Sequence, residues 1–104
     1  MKSTTHKIAL PTRSVVISKL ADLACGNLSP EDASSWAGKW LLIDRTPGAD
    51  VQIKDWPVWE ALKLLAGADL LAEPGTYLHS SKDFQDWHQQ LRNAPLPPDQ
   101  PVER

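Results

Sequence analysis

The sequence predicts an all-α fold, a single small bundle of about four helices followed by an extended Pro-rich C-terminal tail. Apolar residues recur at helical spacing in four separate segments, and residues typical of helix ends bound each segment. The chain has 104 residues, of which 41% are hydrophobic and 23% charged. This is enough for one domain with a modest core.

The first helix is predicted over residues 13–25. Its apolar residues recur at positions i, i+4 and i+7, and they are Val16, Leu20 and Leu23. Gly26 follows and can adopt the left-handed conformation that ends a helix.

The second helix is predicted over residues 30–42, with Ser29 as its cap. The Ser29 hydroxyl can accept hydrogen bonds from the free amides of the first turn. The two acidic residues after Pro30 interact favourably with the positive end of the helix dipole. Apolar residues at i, i+3, i+4, i+7 and i+8 form one stripe: Ala33, Trp36, Ala37, Trp40 and Leu41. We therefore expect Trp36 to be among the most buried residues.

The third helix is predicted over residues 56–68 and the fourth over residues 81–92. Asp55 opens the third helix, and Ser80 or Ser81 caps the fourth. Their inward-facing residues are Val58, Ala61, Leu62, Leu65 and Ala66 in the third helix, and Phe84, Trp87 and Leu91 in the fourth. The segments between the helices have extended composition, but too little chain surrounds them to form a sheet.

The expected domain organisation is one helical domain over residues 1–94. Residues 1–11 form an N-terminal arm that we expect to be flexible, and residues 95–104 form the Pro-rich tail. No apolar run approaches the roughly 20 residues that span a bilayer, and no signal peptide is recognisable. A single cysteine, which cannot form an internal disulfide, favours the cytoplasm.

The residues with chemical potential favour neither an enzyme nor a metal or cofactor site. Cys25 ends a helix, where the carbonyl dipoles disfavour a thiolate, so we expect a small buried residue there. His79 and His88 lack a second cysteine or a close histidine pair, so zinc is not expected, although His79 is a candidate for a structured role. No phosphate-binding loop or nucleophile motif is present.

The first two predicted helices could form a helix-turn-helix, a motif that binds DNA. A helix that reads bases presents basic and amide side chains near its N-terminus, whereas the second helix begins with Pro30, Glu31 and Asp32. The net charge is −2 and the isoelectric point about 5.8. We therefore expect no nucleic-acid partner.

A protein-binding surface is predicted in the acidic middle of the chain. Residues 44–86 contain four basic and eight acidic residues, which could attract a basic partner. The candidate contact residues are two tryptophans and three neighbouring acids: Asp50, Asp55, Trp56, Trp59 and Glu60. A hydrophobic staple at the start of the third helix explains the two tryptophans equally well.

Several stretches between residues 14 and 91 resemble a group of small uncharacterised bacterial proteins. They include VISKL (16–20), GNLSPEDASSWA (26–37), VWEAL (58–62), GADL (67–70) and YLH (77–79), followed by Asp83-Phe84 and Trp87. The resemblance implies a fold and no activity. In size and charge the chain is also similar to immunity proteins that neutralise secreted toxins, a generic likeness that transfers no residue.

The sequence predicts a small cytoplasmic protein that binds another protein. In its most specific form, the prediction is an immunity or antitoxin-like protein that occludes a basic partner through the acidic, Trp-bearing surface. The alternative is a small regulatory or adaptor domain of unknown partner, without catalytic activity. No membrane partner is expected, and the oligomeric state stays open.

Overall fold

The structure, a computed structural model, describes residues 6–96. This part of the chain contains four helices and four short strands. In chain order they are β1 (His6–Ala9), α1 (Arg13–Cys25), α2 (Pro30–Asp44), β2 (Ala49–Gln52), α3 (Trp56–Ala66), β3 (Leu71–Glu73), β4 (Thr76–Tyr77) and α4 (Ser81–Asn93). All four predicted helices are present, and their ends lie within two residues of the predicted ones.

The strands correct the prediction of a purely helical protein. β1 and β2 form a parallel pair in which Ile8 lies opposite Val51, and α1 and α2 connect the two strands. β3 and β4 form an antiparallel hairpin whose turn contains Gly75, with a φ of 82°. The prediction missed these pairs because two to four residues per strand carry too little periodicity to be recognised.

β1 also changes the description of the N-terminal arm. Residues 6–9, expected to belong to a flexible arm, are paired with β2. Residues 1–5 of the arm and residues 97–104 of the Pro-rich tail lie outside the part of the chain that the structure describes.

The helix ends follow the local chemistry that the sequence predicts. The Ser29 hydroxyl accepts a hydrogen bond from the Asp32 amide at 3.1 Å, which confirms Ser29 as the cap of α2. Gly26 ends α1 with a φ of 87°. At α4 the Ser80 amide donates to the Asp83 carboxylate at 3.1 Å.

The core lies where the four helices meet, with α1 packed mainly against α4 and α2 mainly against α3. Its largest fully buried side chains come from α1 and α3: Leu20, Leu62, Leu65, Val16 and Val58. α2 contributes only two buried residues, Ala33 and Ala37. No helix among residues 6–96 is both long enough and apolar enough to span a membrane.

Two predictions of burial are wrong. Trp36 is half-buried and packs against the edge of the core, because α2 approaches α3 through its small alanines. Cys25 is exposed, because it is the last residue of α1 and lies beyond Leu23, the last buried residue of that helix.

Candidate functional site

Two lysines and two tryptophans of α1 and α2 form a continuous cluster, which we call the Lys-Trp surface: Lys19, Trp36, Lys39 and Trp40. The rings of Trp36 and Trp40 meet edge to face, with centroids 4.9 Å apart. The Lys19 Nζ lies 5.1 Å from the centroid of Trp36, and the Lys39 Nζ lies 5.6 Å from that of Trp40. Each ammonium is thus within the range of a cation–π interaction.

The position of the tryptophans follows from the geometry of α2. Trp36 and Trp40 each follow a buried alanine by three positions, which rotates them about 60° around the helix axis from Ala33 and Ala37. They therefore lie at the border between the core and solvent, and both remain half-buried. Each ring is therefore partly exposed to solvent.

β1 fixes one of the two rings. The Trp40 indole Nε1 donates a hydrogen bond to the carbonyl oxygen of Ala9 at 3.1 Å. Because β1 is itself paired with β2, this bond holds Trp40 against a small sheet rather than against a mobile loop. The end of β1 thus lies against the Lys-Trp surface.

The charges of Lys19 and Lys39 differ from those of the paired basic residues. Within residues 6–96, Arg13, Lys63 and Lys82 each form an ion pair with a carboxylate, at 2.8, 3.1 and 3.5 Å respectively. In the same range of residues, Lys19 and Lys39 have tryptophan rings as partners and no carboxylate within 4.0 Å. Their positive charges are therefore available to an anion.

Arg13 is engaged in the fold and cannot serve an external anion. Its guanidinium donates to both oxygens of Asp55 at 2.8 and 2.9 Å, and to the carbonyl oxygens of Ala94 at 2.6 Å and Pro95 at 2.9 Å. One side chain thus joins the start of α1, the start of α3 and the end of α4.

The five residues predicted to bind a protein partner do not form one surface. Trp59 is only 7% exposed and belongs to the core. Asp55 is held by Arg13 with a side-chain exposure of 15%. Trp56 is 58% exposed at the start of α3. The prediction of two exposed tryptophans beside free acids therefore does not hold for Trp59 and Asp55.

The other two predicted acids are exposed but separate from each other. Asp50 lies in β2 opposite Lys7 of β1. Glu60 forms an ion pair with Lys63 one turn along α3 and borders a small cavity between α3 and α4. Of the predicted contact residues, Trp56 and Glu60 are therefore neighbours, because both are exposed and lie one turn apart on α3.

The β3–β4 hairpin is tied to the start of α2 by a hydrogen bond between side chains. The Tyr77 hydroxyl donates to the Glu31 carboxylate. This bond lowers the pKa of Glu31 and raises the pKa of Tyr77, because it favours the ionised acid and the protonated phenol. It anchors the hairpin and lies outside the Lys-Trp surface.

His79 has a structured role, as the sequence predicts. Its Nδ1 lies 3.4 Å from the Asp83 carboxylate, and its ring packs edge to face on Trp87 at 4.8 Å. Among the described residues, no three histidine, cysteine or acidic side chains are placed to hold a metal ion.

Sequence reasoning missed the Lys-Trp surface because it assigned both tryptophans to the core. One signal could have identified it. Lys39 directly precedes Trp40 and has no acidic residue three or four positions away in either direction. The pairing of Lys19 with Trp36 joins two helices, and no local pattern indicates it.

The chain is similar to proteins of one known family. Residues 9–91 match a family described as YxzC DNA-binding protein. The uncharacterised protein YxzC of Bacillus subtilis (strain 168) is 38% identical over 74 residues, which are 71% of this chain and 57% of that protein. The chain therefore spans less than two thirds of this curated relative. No solved structure matches the chain.

The family description overturns the prediction of a protein-binding, immunity-like role and the exclusion of a nucleic-acid partner. The error in the argument from charge came from averaging over the chain. The acidic excess belongs to residues 44–86, whereas the Lys-Trp surface lies in residues 1–43, which contain five basic and three acidic residues. The resemblance to a group of small bacterial proteins is confirmed.

Proposed function

The chain belongs to the YxzC family, and we propose that it binds DNA through the Lys-Trp surface. The observation that carries the choice of site is the position of two lysine ammonium groups over adjacent tryptophan rings, without a carboxylate partner in the described part of the chain. The family description supports the choice of ligand.

Free lysines suit this role because phosphate contacts supply most of the affinity of a protein for DNA. A lysine that is paired with a carboxylate has a negative charge beside it, which repels a phosphate. Lys19 and Lys39 lie over neutral rings instead, so their charges attract a phosphate without this repulsion.

The net charge of −2 limits how DNA can approach. The acidic middle of the chain repels phosphates, which favours an approach of DNA from the side of the Lys-Trp surface. Two phosphate contacts correspond to a slope of about −1.4 to −1.8 in a plot of log K against log salt concentration. This is a shallow slope for a DNA-binding protein, and the affinity is correspondingly modest.

We also propose that the protein has no catalytic activity and lies in the cytoplasm, which in a bacterium contains the chromosome. The absence of catalysis and the cytoplasmic location remain predictions.

Fluorescence anisotropy with a labelled DNA oligonucleotide at low salt tests the proposal. The Lys19→Ala/Lys39→Ala double variant is expected to bind about tenfold more weakly, with a salt slope near zero. The control is Lys63→Ala/Lys82→Ala, which removes two lysines that are paired with Glu60 and Asp86. This control changes the net charge equally, and we expect it to bind within about twofold of the unmodified protein.

Two results would contradict the proposal. Equal losses in the two double variants would mean that only the net charge matters and that the Lys-Trp surface is not the site. An unmodified protein that binds neither single-stranded nor duplex DNA at low salt would overturn DNA binding itself.

A further inference from the structure

We infer that the Lys-Trp surface prefers single-stranded DNA to a duplex, with bases stacked on Trp36 and Trp40 and with Lys19 and Lys39 on the flanking phosphates. This inference rests on the proposed function and specifies the form of DNA that the site accepts.

Aromatic and cationic groups are paired on the Lys-Trp surface. Each half-buried ring has a flexible lysine over its face, at 5.1 Å for Trp36 and 5.6 Å for Trp40. A base can replace the ammonium over the ring, and the displaced lysine can then reach the phosphate of the same nucleotide. A single strand offers exposed base faces together with phosphates, whereas a duplex keeps its base faces inside the stack.

The starts of α1, α2 and α4 offer no unpaired basic residue to the grooves of a duplex. α2 begins with Pro30 and two acids, and Glu31 is bound to Tyr77. Arg13 at the start of α1 is bound to Asp55, and Lys82 at the start of α4 is bound to Asp86. A groove-reading helix needs free basic or amide groups at this end.

The packing of the helices also differs from that of a helix-turn-helix. A helix-turn-helix packs its two helices against each other and so supports the reading helix. Here α1 packs mainly against α4 and α2 mainly against α3, so that the two helices joined by residues 26–29 do not form such a unit.

The charge density of the DNA also favours a single strand. A duplex carries about one phosphate per 1.7 Å of its axis, twice the density of one strand. A protein with a net charge of −2 and two free lysines at the site is repelled more by the duplex. Base stacking supplies affinity that does not depend on charge, and only the single strand makes it available.

Three oligonucleotides of equal length test the inference with the unmodified protein: a thymidine single strand, its duplex with the complementary strand, and a strand of abasic sites. The abasic strand keeps the phosphates and lacks the bases. We expect the thymidine strand to bind at least about tenfold more tightly than the other two and to quench tryptophan emission.

Trp36→Leu provides a second measurement, since leucine keeps an apolar contact with the core and removes the stacking ring. It is expected to lower the affinity for the thymidine strand about tenfold and to leave binding of the abasic strand unchanged. The control is Trp56→Leu, which removes an exposed tryptophan of α3 and is expected to bind like the unmodified protein. If Trp36→Leu fails to fold, as judged by circular dichroism, the comparison of oligonucleotides with the unmodified protein decides.

A duplex or an abasic strand that binds as tightly as the thymidine strand would overturn this inference and leave DNA binding in place. A protein that binds none of the three oligonucleotides would overturn both the inference and the proposed function.

Discussion

α2 and α3 lie side by side in the bundle and both carry tryptophans at helical spacing, yet they use them differently. In α3, Trp59 is buried among the core residues, next to the fully buried Val58 and Leu62. In α2 the core is reached through Ala33 and Ala37, while Trp36 and Trp40 stay half-buried beneath two lysines. Thus Trp59 of α3 fills the core, whereas both tryptophans of α2 lie at the surface.

The difference shows that small residues decide which side of a helix packs closely. Alanines on α2 allow its backbone to approach α3, and tryptophans about 60° away around the axis are left at the border. A stripe of apolar residues therefore indicates a helix, but it does not identify which of its large members are buried.

The largest expected difference between α3 and α2 is in the stability lost when a tryptophan is removed. Trp59→Ala should lower the free energy of unfolding by about 3–5 kcal/mol, because it leaves a cavity in the core. Trp36→Ala should cost only about 1–2 kcal/mol, because its ring is half in solvent and the site can relax. Urea unfolding followed by circular dichroism measures both, and equal losses would show that the two helices bury their tryptophans alike.

The next effect concerns the way the two helices begin. α3 begins at Asp55, whose carboxylate binds Arg13 and makes no capping bond with its own helix. Arg13→Ala should therefore cost about 2–3 kcal/mol, since Asp55 and the carbonyl groups at the end of α4 lose a charged donor.

Arg13→Lys separates geometry from charge. Lysine keeps the charge but not the two parallel bonds to Asp55, so most of the loss should remain. Thermal unfolding checks this, and a fully stable Arg13→Lys variant would mean that the guanidinium geometry is unimportant.

α2 begins with a local cap instead, and its loss should be smaller. Ser29→Ala should lower stability by about 1 kcal/mol, because the Asp32 amide loses its acceptor. Ser35→Ala, which changes an exposed serine within the same helix, is the control and should be nearly neutral. If both serine variants behave alike in urea unfolding, the start of α2 does not depend on its cap.

The smallest effect is the pH dependence of the bond between Tyr77 and Glu31. The lowered pKa of Glu31 stabilises the fold above the ordinary value of 4.5, and this stability is lost as the pH falls through the lowered pKa. The raised pKa of Tyr77 stabilises the fold below 10.0, and this is lost as the pH rises through the raised pKa.

Tyr77→Phe removes both contributions. The stability difference from the unmodified protein should be greatest between those two pH values and should shrink on either side of them. Unfolding curves at acidic, neutral and alkaline pH measure it. A difference that stays constant across the range would show that the bond contributes nothing through ionisation.

The sequence predicts local features well and contacts between distant segments poorly. Caps such as Ser29 and Gly26 act within a few residues, so the helix ends are readable. The pairing of β1 with β2 joins segments on either side of two helices and has no local signal. Within the Lys-Trp surface, only Lys39 has a local sequence signal, which is the absence of acidic residues three or four positions away. The bond of Arg13 to Asp55 depends on the packed fold.

The central claim is that DNA contacts the tryptophans of α2 and not those of the core, and the five indole N–H groups of the protein can test it in one experiment. In a ¹H–¹⁵N spectrum of the labelled protein titrated with a thymidine oligonucleotide, we expect the indole signals of Trp36 and Trp40 to shift, while those of Trp59 and Trp87 stay in place. Saturating shifts confined to Trp56, or no shift in any indole signal, would contradict the assignment of the Lys-Trp surface as the DNA site.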